Sequence, residues 1–318
     1  MIPRLMQPDA SALQFDLDRR LASVVRIHSR IPSDAFSASA LGTEREGSGV
    51  LVSERGIVLT IGYLINEADE IWLTTSTGRV VPGHALATDF ATGFGIVQAL
   101  GQIDRPVMPI GRSADVGIGA ELVVAAGTGL DHAMRSRLIG KREFAGYWEY
   151  LLDEAFFTMP AHPAWGGSAV IGPQGDLVGI GSLLVQVGND ESSTEDSNMI
   201  VPIDLLAPIF EDLVKKGRTE TPVRPWLGIF SSDSPNGVTV VNVADGGPGD
   251  LGGVRDADII LAVDDVPVGD LADFYRQLWA GGEAGMTVDL TILRDDKRHR
   301  IKLRSADRND FLRRPRLH

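Results

Sequence analysis

From residue 47 to residue 100 the chain alternates short apolar runs with glycine-rich and charged turns. Gly47-Ser48-Gly49-Val50-Leu51-Val52-Ser53 turns at Glu54-Arg55-Gly56 into Ile57-Val58-Leu59-Thr60. Ile71-Trp72-Leu73-Thr74-Thr75 turns at Ser76-Thr77-Gly78 into Val80-Val81, and residues 83–87 and 94–100 follow. Five or more such runs at about 8–12-residue spacing predict a small antiparallel barrel or sandwich. A second set at 121–126, 133–141, 151–158, 168–171, 177–184 and 199–201 predicts another all-β unit of similar size. Two consecutive units of this kind fit a double β-barrel. Ahead of them, residues 1–12 read as a loose arm, residues 15–27 as a short helix running into a strand, and residues 31–41 as a loop.

The period changes after residue 201. Pro202-Ile203-Asp204 opens a predicted helix on which Leu205, Leu206, Ile209, Phe210, Leu213 and Val214 recur at three- and four-residue spacing. Lys215, Lys216 and Gly217 close it with the charges and the glycine that suit a helix C-terminus. Residues 218–225 carry two prolines and no apolar cluster, which is linker chemistry. A last module runs from 226 to 305, with landmarks at 226–229, 237–243 and 247–263. In it a helix at 270–279 and strands at 287–294 and 299–303 follow. Asp264-Asp265 and Asp295-Asp296 fall where hairpin turns are expected and read as turn chemistry. The polar, acidic tract 188–198 reads as a solvated mobile loop, and the tail 307–318, with four arginines, as disordered or lightly docked.

Composition narrows the function. At 318 residues the chain is long for one domain and natural for two or three modules. A formal charge of −13 repels nucleic acid and anionic lipid surfaces. Without cysteine there are no disulfides and no thiolate metal sites. No run approaches the roughly 18 apolar residues of a spanning helix, and the N-terminus lacks a continuous apolar segment of a secretory signal. The expectation is a cytoplasmic protein that binds neither membrane nor nucleic acid and needs no cofactor or metal.

The motifs carry a resemblance. Residues 47–66 resemble G-S-G-V-I-I-S-x-x-G-x-I-L-T-N-N-H-V-V of the HtrA/DegP serine proteases. Residues 69–100 and 199–217 are similar to the segments that follow and close that family's protease domain. Residues 162–180, His162-Pro163-Ala164-Trp165-Gly166-Gly167-Ser168-Ala169-Val170-Ile171 and onward, resemble N-P-G-N-S-G-G-P-L-V and its following turn. The last module resembles a bacterial PDZ domain, with a carboxylate-binding loop at 226–229 and a G-P-A-x-x-A-G-L-x-x-G-D-x-I block at 247–263. The resemblance implies a mainly β chymotrypsin/trypsin-like double β-barrel at 15–217 and a PDZ domain, small and α+β, at 226–305. It leaves an arm at 1–14, a linker at 218–225 and a basic tail at 306–318.

The same alignment removes the family's chemistry. A Ser-His-Asp triad needs a nucleophilic hydroxyl, an imidazole to take its proton and a carboxylate to orient the imidazole. Here the histidine position falls on Tyr63, the aspartate on Gly93 and the serine on Gly166, or on Trp165 if a one-residue gap is allowed. A phenol with a reference pKa of about 10 is a poor general base at neutral pH. Ser168, His162, His84 and Asp89 lie near these positions in sequence and are the candidates for a rebuilt site. Tyr63 and Trp165 read as bulky fillers of a disused cleft, or as the lining of a new pocket.

The PDZ-like module keeps what binding needs. Trp226, Leu227, Gly228 and Ile229 can aim backbone N–H groups at a terminal carboxylate, and the adjoining strand edge can pair with a peptide. The resemblance puts the far wall on the helix that carries Phe274, Tyr275, Leu278 and Trp279, with Phe274 and Leu278 as named contacts. The reading is a non-catalytic HtrA-like protein that binds peptides or protein C-termini as an adaptor, chaperone-like binder or regulator. The alternative is a serine endopeptidase of weak or unconventional activity. By resemblance to family trimers, residues 13–30 are the candidate segment for a homo-oligomer.

Overall fold

The structure, a computed structural model, describes every residue except 189–193 and 314–318. The chain divides into two compact units. One comprises Met1–Arg142, Glu154–Thr219 and Arg313, and the other Glu143–Asp153 with Glu220–Leu312.

The first unit holds two closed barrels. Strands β1 (Val24–Arg30), β2 (Glu44–Ser53), β3 (Ile57–Ile61), β4 (Glu70–Thr74), β5 (Val80–Thr88) and β6 (Phe94–Ala99) close in the order β1-β2-β3-β6-β5-β4. Strands β7 (Glu121–Ala125), β8 (Ala133–Gly146), β9 (Tyr150–Met159), β10 (Ala169–Ile171), β11 (Leu177–Val187) and β12 (Glu195–Pro202) close as β10-β11-β12-β9-β8-β7. All five residues of β3 are buried, and its one polar member, Thr60, satisfies its hydroxyl by donating to the Ser48 carbonyl at 2.6 Å. Strand β2 comes close enough to β3 that a Cβ at Gly49 would stand 2.5 Å from Val58 Cγ1. Closure abolishes free strand edges, which is why short strands of this kind form a stable unit.

Several local expectations change. The runs at 80–81 and 83–87 are one strand, β5, which continues through Pro82 opposite Trp72. The arm is docked, not loose: Ile2 is buried, its N–H donates to the Asp131 carbonyl at 2.7 Å, and Arg135 Nη2 donates to the Leu5 carbonyl. Asp16 caps helix α1 (Leu17–Leu21), and a short helix α2 (Ala38–Leu41) interrupts the expected loop. The helix expected from 202 breaks into a 3-10 turn at Ile203–Leu205 and α3 (Phe210–Lys216). Asp204, expected to start it, instead accepts the backbone N–H groups of Ser113 and Ala114, each at 2.9 Å. Of the acidic tract, 189–193 lie outside the described residues, while Glu195 to Asn198 belong to β12, with Ser197 and Asn198 fully buried.

The second unit carries β13 (Ile229–Ser234), β14 (Gly237–Val243), α4 (Pro248–Leu251), β15 (Ile259–Val263), β16 (Val266–Pro267), α5 (Leu271–Ala280), β17 (Thr287–Arg294) and β18 (Lys297–Arg304). Its sheet order is β13-β14-β15-β17-β18, with β16 paired to β15. Asp270 caps α5 through the Asp273 N–H at 2.8 Å. Asp264, Asp265, Asp295 and Asp296 all adopt positive φ, the backbone of tight hairpin turns. The stretches expected as linker and tail are partly folded into this unit. Arg224 stacks over the Trp279 ring, Ala306 pairs with Trp226 in both directions at 3.0 Å, and the Phe311 ring lies 4.8 Å from that of Trp226. The tail's last residues, 314–318, lie outside the described residues. Most unexpected is the grouping of 143–153, the tip between β8 and β9, with this unit and not with the barrels whose strands it joins.

Candidate functional site

The stretches that resemble a protease site meet in the first unit. Tyr63 lies in the 3-10 turn Gly62–Leu64 directly after β3. The backbone of that turn is tied to Gly93, whose carbonyl accepts the Gly62 N–H at 2.8 Å. The Tyr63 hydroxyl donates to the Ser182 carbonyl at 2.8 Å and is hydrogen-bonded with Trp165. It also stands over Gly166, where an added Cβ would lie 2.7 Å from the phenol oxygen. Tyr63, Trp165 and Gly166 are therefore neighbours, with Gly93 one turn of backbone away. Burial pushes the phenol's pKa far above its ordinary value, so it stays protonated and serves as a donor. Gly93 has φ of 85°, and its N–H donates to the Asp89 carbonyl at 2.7 Å.

Two of the candidates for a rebuilt site, Asp89 and His162, are held by structural duties. Asp89 Oδ2 accepts the Thr92 N–H at 2.8 Å and the Thr92 hydroxyl at 2.6 Å, closing its own turn. His162 is almost wholly buried. Its Nδ1 accepts the Ala164 N–H at 3.0 Å, which leaves the proton on Nε2, 3.2 Å from the His132 carbonyl. Asn198 grips the His162 backbone from both sides, accepting its N–H at 2.6 Å and donating to its carbonyl at 3.2 Å. Burial lowers the imidazole's pKa, so His162 is a neutral ring whose two nitrogens are both engaged. The Ser168 hydroxyl is fully buried and makes no hydrogen bond among the described residues. No bond joins it to His162. His84 sits on β5 opposite Gln98.

The second candidate site is the loop at 226–229. Gly228 has φ of 69°, and a Cβ there would meet the Trp226 ring at 3.0 Å and Ala244 at 3.1 Å. Its neighbours' N–H groups converge as the sequence suggests, and they converge on a carboxylate. Glu149 accepts the Leu227 N–H at 3.2 and 3.1 Å and the Ile229 N–H at 3.0 Å, with a further bond from Gly228. Two positions earlier, the Tyr147 carbonyl accepts the Ser231 N–H of β13 at 2.9 Å. On the other side, the Glu149 N–H donates to the Tyr275 hydroxyl at 3.1 Å, which in turn donates to the Gly146 carbonyl at 2.8 Å. Phe274 and Leu278, expected as groove walls, are fully buried in the unit's core, and Trp226 is covered by Phe311. Leu151 shares that core with Leu227, Ile229 and Leu278.

Glu149 is itself buried, and burial pushes its carboxyl up to about 7 despite the N–H donors and the nearby Arg308 guanidinium that favour the anion. Sequence reasoning missed this residue. The signal available was Gly146-Tyr147-Trp148-Glu149-Tyr150, three aromatics within five residues of a hairpin tip, where polar turn residues are the norm. Of these rings Tyr150 is buried and Trp148 half-buried, while Tyr147 stays exposed.

Comparison with known proteins supplies the family. The trypsin-like peptidase domain matches residues 47–180 and the PDZ domain residues 225–304. A probable periplasmic serine endoprotease, DegP-like, from Pseudomonas fluorescens is 27% identical over 81% of this chain; the chain spans 55% of that relative's length. The serine endoprotease DegS of Salmonella typhimurium is 25% identical over 90% of this chain and 83% of its own. Among solved structures, the HtrA-type protease AlgW with a decapeptide superposes with a TM-score of 0.54 at 19% identity, covering 94% of this chain and 98% of that one. No helix among the described residues is long and apolar enough to cross a membrane. Trypsin-like peptidase domain, PDZ domain and relatives together support an HtrA-family protein.

Proposed function

We propose that this chain is an HtrA-family protein that does not cleave peptide bonds by the family's triad and works by binding peptides or protein C-termini through its PDZ domain. In that role it serves as an adaptor, a chaperone-like binder or a regulator of active relatives. One observation carries the reading: the Tyr63 phenol is bonded to the Ser182 carbonyl and occupies the space that a side chain at 166 would enter. A buried phenol held protonated cannot take a proton from a nucleophile, and glycine at 166 has no nucleophile to offer. Losing a triad costs on the order of 10⁶ in turnover in a worked serine-protease case.

A second reading, an endopeptidase of weak or unconventional activity, draws on the relatives' names as serine endoproteases and on Ser168, whose hydroxyl has no partner among the described residues. Fluorophosphonate labelling of the full chain, run beside digestion of an unfolded protein substrate, separates the two. The expected outcome is neither labelling nor cleavage. Labelling that disappears in Ser168→Ala overturns the binding reading in favour of the enzyme. Light scattering measures the mass, for which a trimer is the proposal.

A further inference from the structure

A PDZ-type site reads three features of a chain end: a carboxylate in the loop, a backbone that pairs with the strand, and an apolar side chain at the terminus. The tip between β8 and β9 supplies all three from inside the chain. The Glu149 side chain brings its carboxylate to the N–H groups of Leu227 and Ile229. Tyr147 contributes the backbone pairing, its carbonyl bound to Ser231 N. Leu151 puts an apolar side chain into the cluster of Leu227, Ile229 and Leu278 directly behind the loop. The Tyr275 hydroxyl then clamps the tip from α5 through Gly146 and Glu149. Glu149 adopts φ of 57°, a conformation uncommon outside glycine.

We propose that residues 143–153 are a tethered pseudo-ligand: the hairpin tip occupies the C-terminus-binding groove, and an external chain end binds only by displacing it. The inference rests on the reading of the second unit as a C-terminus-binding module. It adds that the resting protein is self-occupied. A site filled by a tethered segment shows a weakened apparent affinity, reduced by the fraction of molecules in which the tip has left.

The test uses the full chain and a fluorescent pentapeptide, Ala-Gly-Tyr-Trp-Leu, with a free carboxylate, which copies the tip and adds the apolar end. Its C-terminal amide is the control. Glu149→Lys places a cation among the N–H donors beside Arg308, and Glu149→Gly removes the carboxylate while suiting the positive φ. Both variants are expected to bind the free acid about tenfold or more tightly than the wild type and to ignore the amide. In the same variants, amides of 143–151 are expected to exchange hydrogen faster while those of β3 and β11 do not change.

Equal affinity in wild type and variants overturns the self-occupation and leaves the C-terminus-binding reading standing. Faster exchange of the tip without peptide binding by any of the proteins overturns the C-terminus-binding reading, and with it the competition. Unchanged exchange overturns the inference outright. Wild-type chain with saturating peptide supplies a check that needs no substitution: the tip must exchange faster, and protection that stays constant while peptide binds overturns displacement.

Discussion

Replacing Gly166 by alanine asks whether the Tyr63 phenol fills the place of a missing side chain. An ideal Cβ at 166 would lie 2.7 Å from the phenol oxygen, closer than real Cβ contacts come, so the ring has to move. Moving it strains or breaks the bond to the Ser182 carbonyl, a group buried with its residue. Leaving such a carbonyl unsatisfied costs about 1–3 kcal/mol, and forced repacking falls in the same range. The expected cost of Gly166→Ala in the wild-type background is therefore about 2 kcal/mol.

Tyr63→Phe deletes only the offending oxygen. The next atoms an alanine at 166 would meet are Tyr63 Cζ at 3.6 Å and Leu64 Cδ2 at 3.7 Å, ordinary van der Waals distances. In that background Gly166→Ala is expected to be near neutral, or to stabilise by about 0.5 kcal/mol through the unfolded chain's lost freedom. Tyr63→Phe alone is expected to cost about 1–2 kcal/mol for the lost bond to Ser182. The coupling between the two sites is then about 2 kcal/mol, in the range that double-mutant cycles resolve for residues in contact. Urea titrations of the four proteins, followed through the barrel signal, measure it. Additive costs would refute the argument, because they would mean that the phenol is not what closes the site.

Other perturbations follow from the same geometry. Gly167→Ala would place a Cβ 1.9 Å from the Ser48 carbonyl oxygen at φ of 72°, so a loss of about 3 kcal/mol or more is expected on thermal unfolding. The Glu149 carboxyl, raised from 4.5 to about 7, keeps a proton when docked that it releases when free. Docking of the tip is then strongest below about pH 4.5 and weakens by about 3 kcal/mol as pH rises through 7, so the protection of 143–151, taken relative to the intrinsic exchange rate at each pH, is expected to fall across that window and to lose this dependence in Glu149→Gly. His162 works in the opposite direction. Its lowered pKa keeps the folded ring neutral, so stability is full above the ordinary imidazole value of 6.5 and falls as pH drops below it, a dependence that His162→Gln is expected to remove in urea titrations at stepped pH.

The barrels were legible because alternating runs and turn residues act locally: β2, β3, β6 and β7 lie within a few residues of where the pattern puts them. The aspartate turns of the second unit were legible for the same reason, since Asp264-Asp265 and Asp295-Asp296 suit positive φ on their own. What escaped was decided across long sequence distances. Asp204 is spent on Ser113 and Ala114, about ninety residues away, so the helix it looks ready to start begins later. The partner of the loop at 226–229 lies 78 and 80 residues upstream, in a hairpin whose periodicity says only that two strands are joined. His162 was a candidate for a rebuilt site from its place in the sequence, and only Asn198 and His132 reveal it as a strut.

The protease-like segments also show how much of a motif the fold itself requires. Gly167 admits no side chain because the Ser48 carbonyl and the Thr60 hydroxyl press against it. Gly47 is pinned between Leu64 and the Gly166 carbonyl, 2.4 and 2.7 Å from where its Cβ would stand. The Gly166 carbonyl accepts the Ser48 N–H at 2.9 Å, and the Ser48 hydroxyl accepts the Gly127 N–H at 2.8 Å, which ties the first barrel to the second. These constraints belong to the junction of two barrels and hold whatever stands at 63, 93 or 166. A chain that keeps this junction must keep G-S-G near residue 48 and the glycine at 167 to remain folded. On the proposed reading, the chemistry needs three further side chains that the fold does not require, and where the resemblance puts the histidine the chain carries a phenol that satisfies the Ser182 carbonyl. Matching the glycines therefore reports the scaffold, and on the proposed reading activity is judged at the positions the resemblance gives to the triad, Tyr63, Gly93 and Gly166.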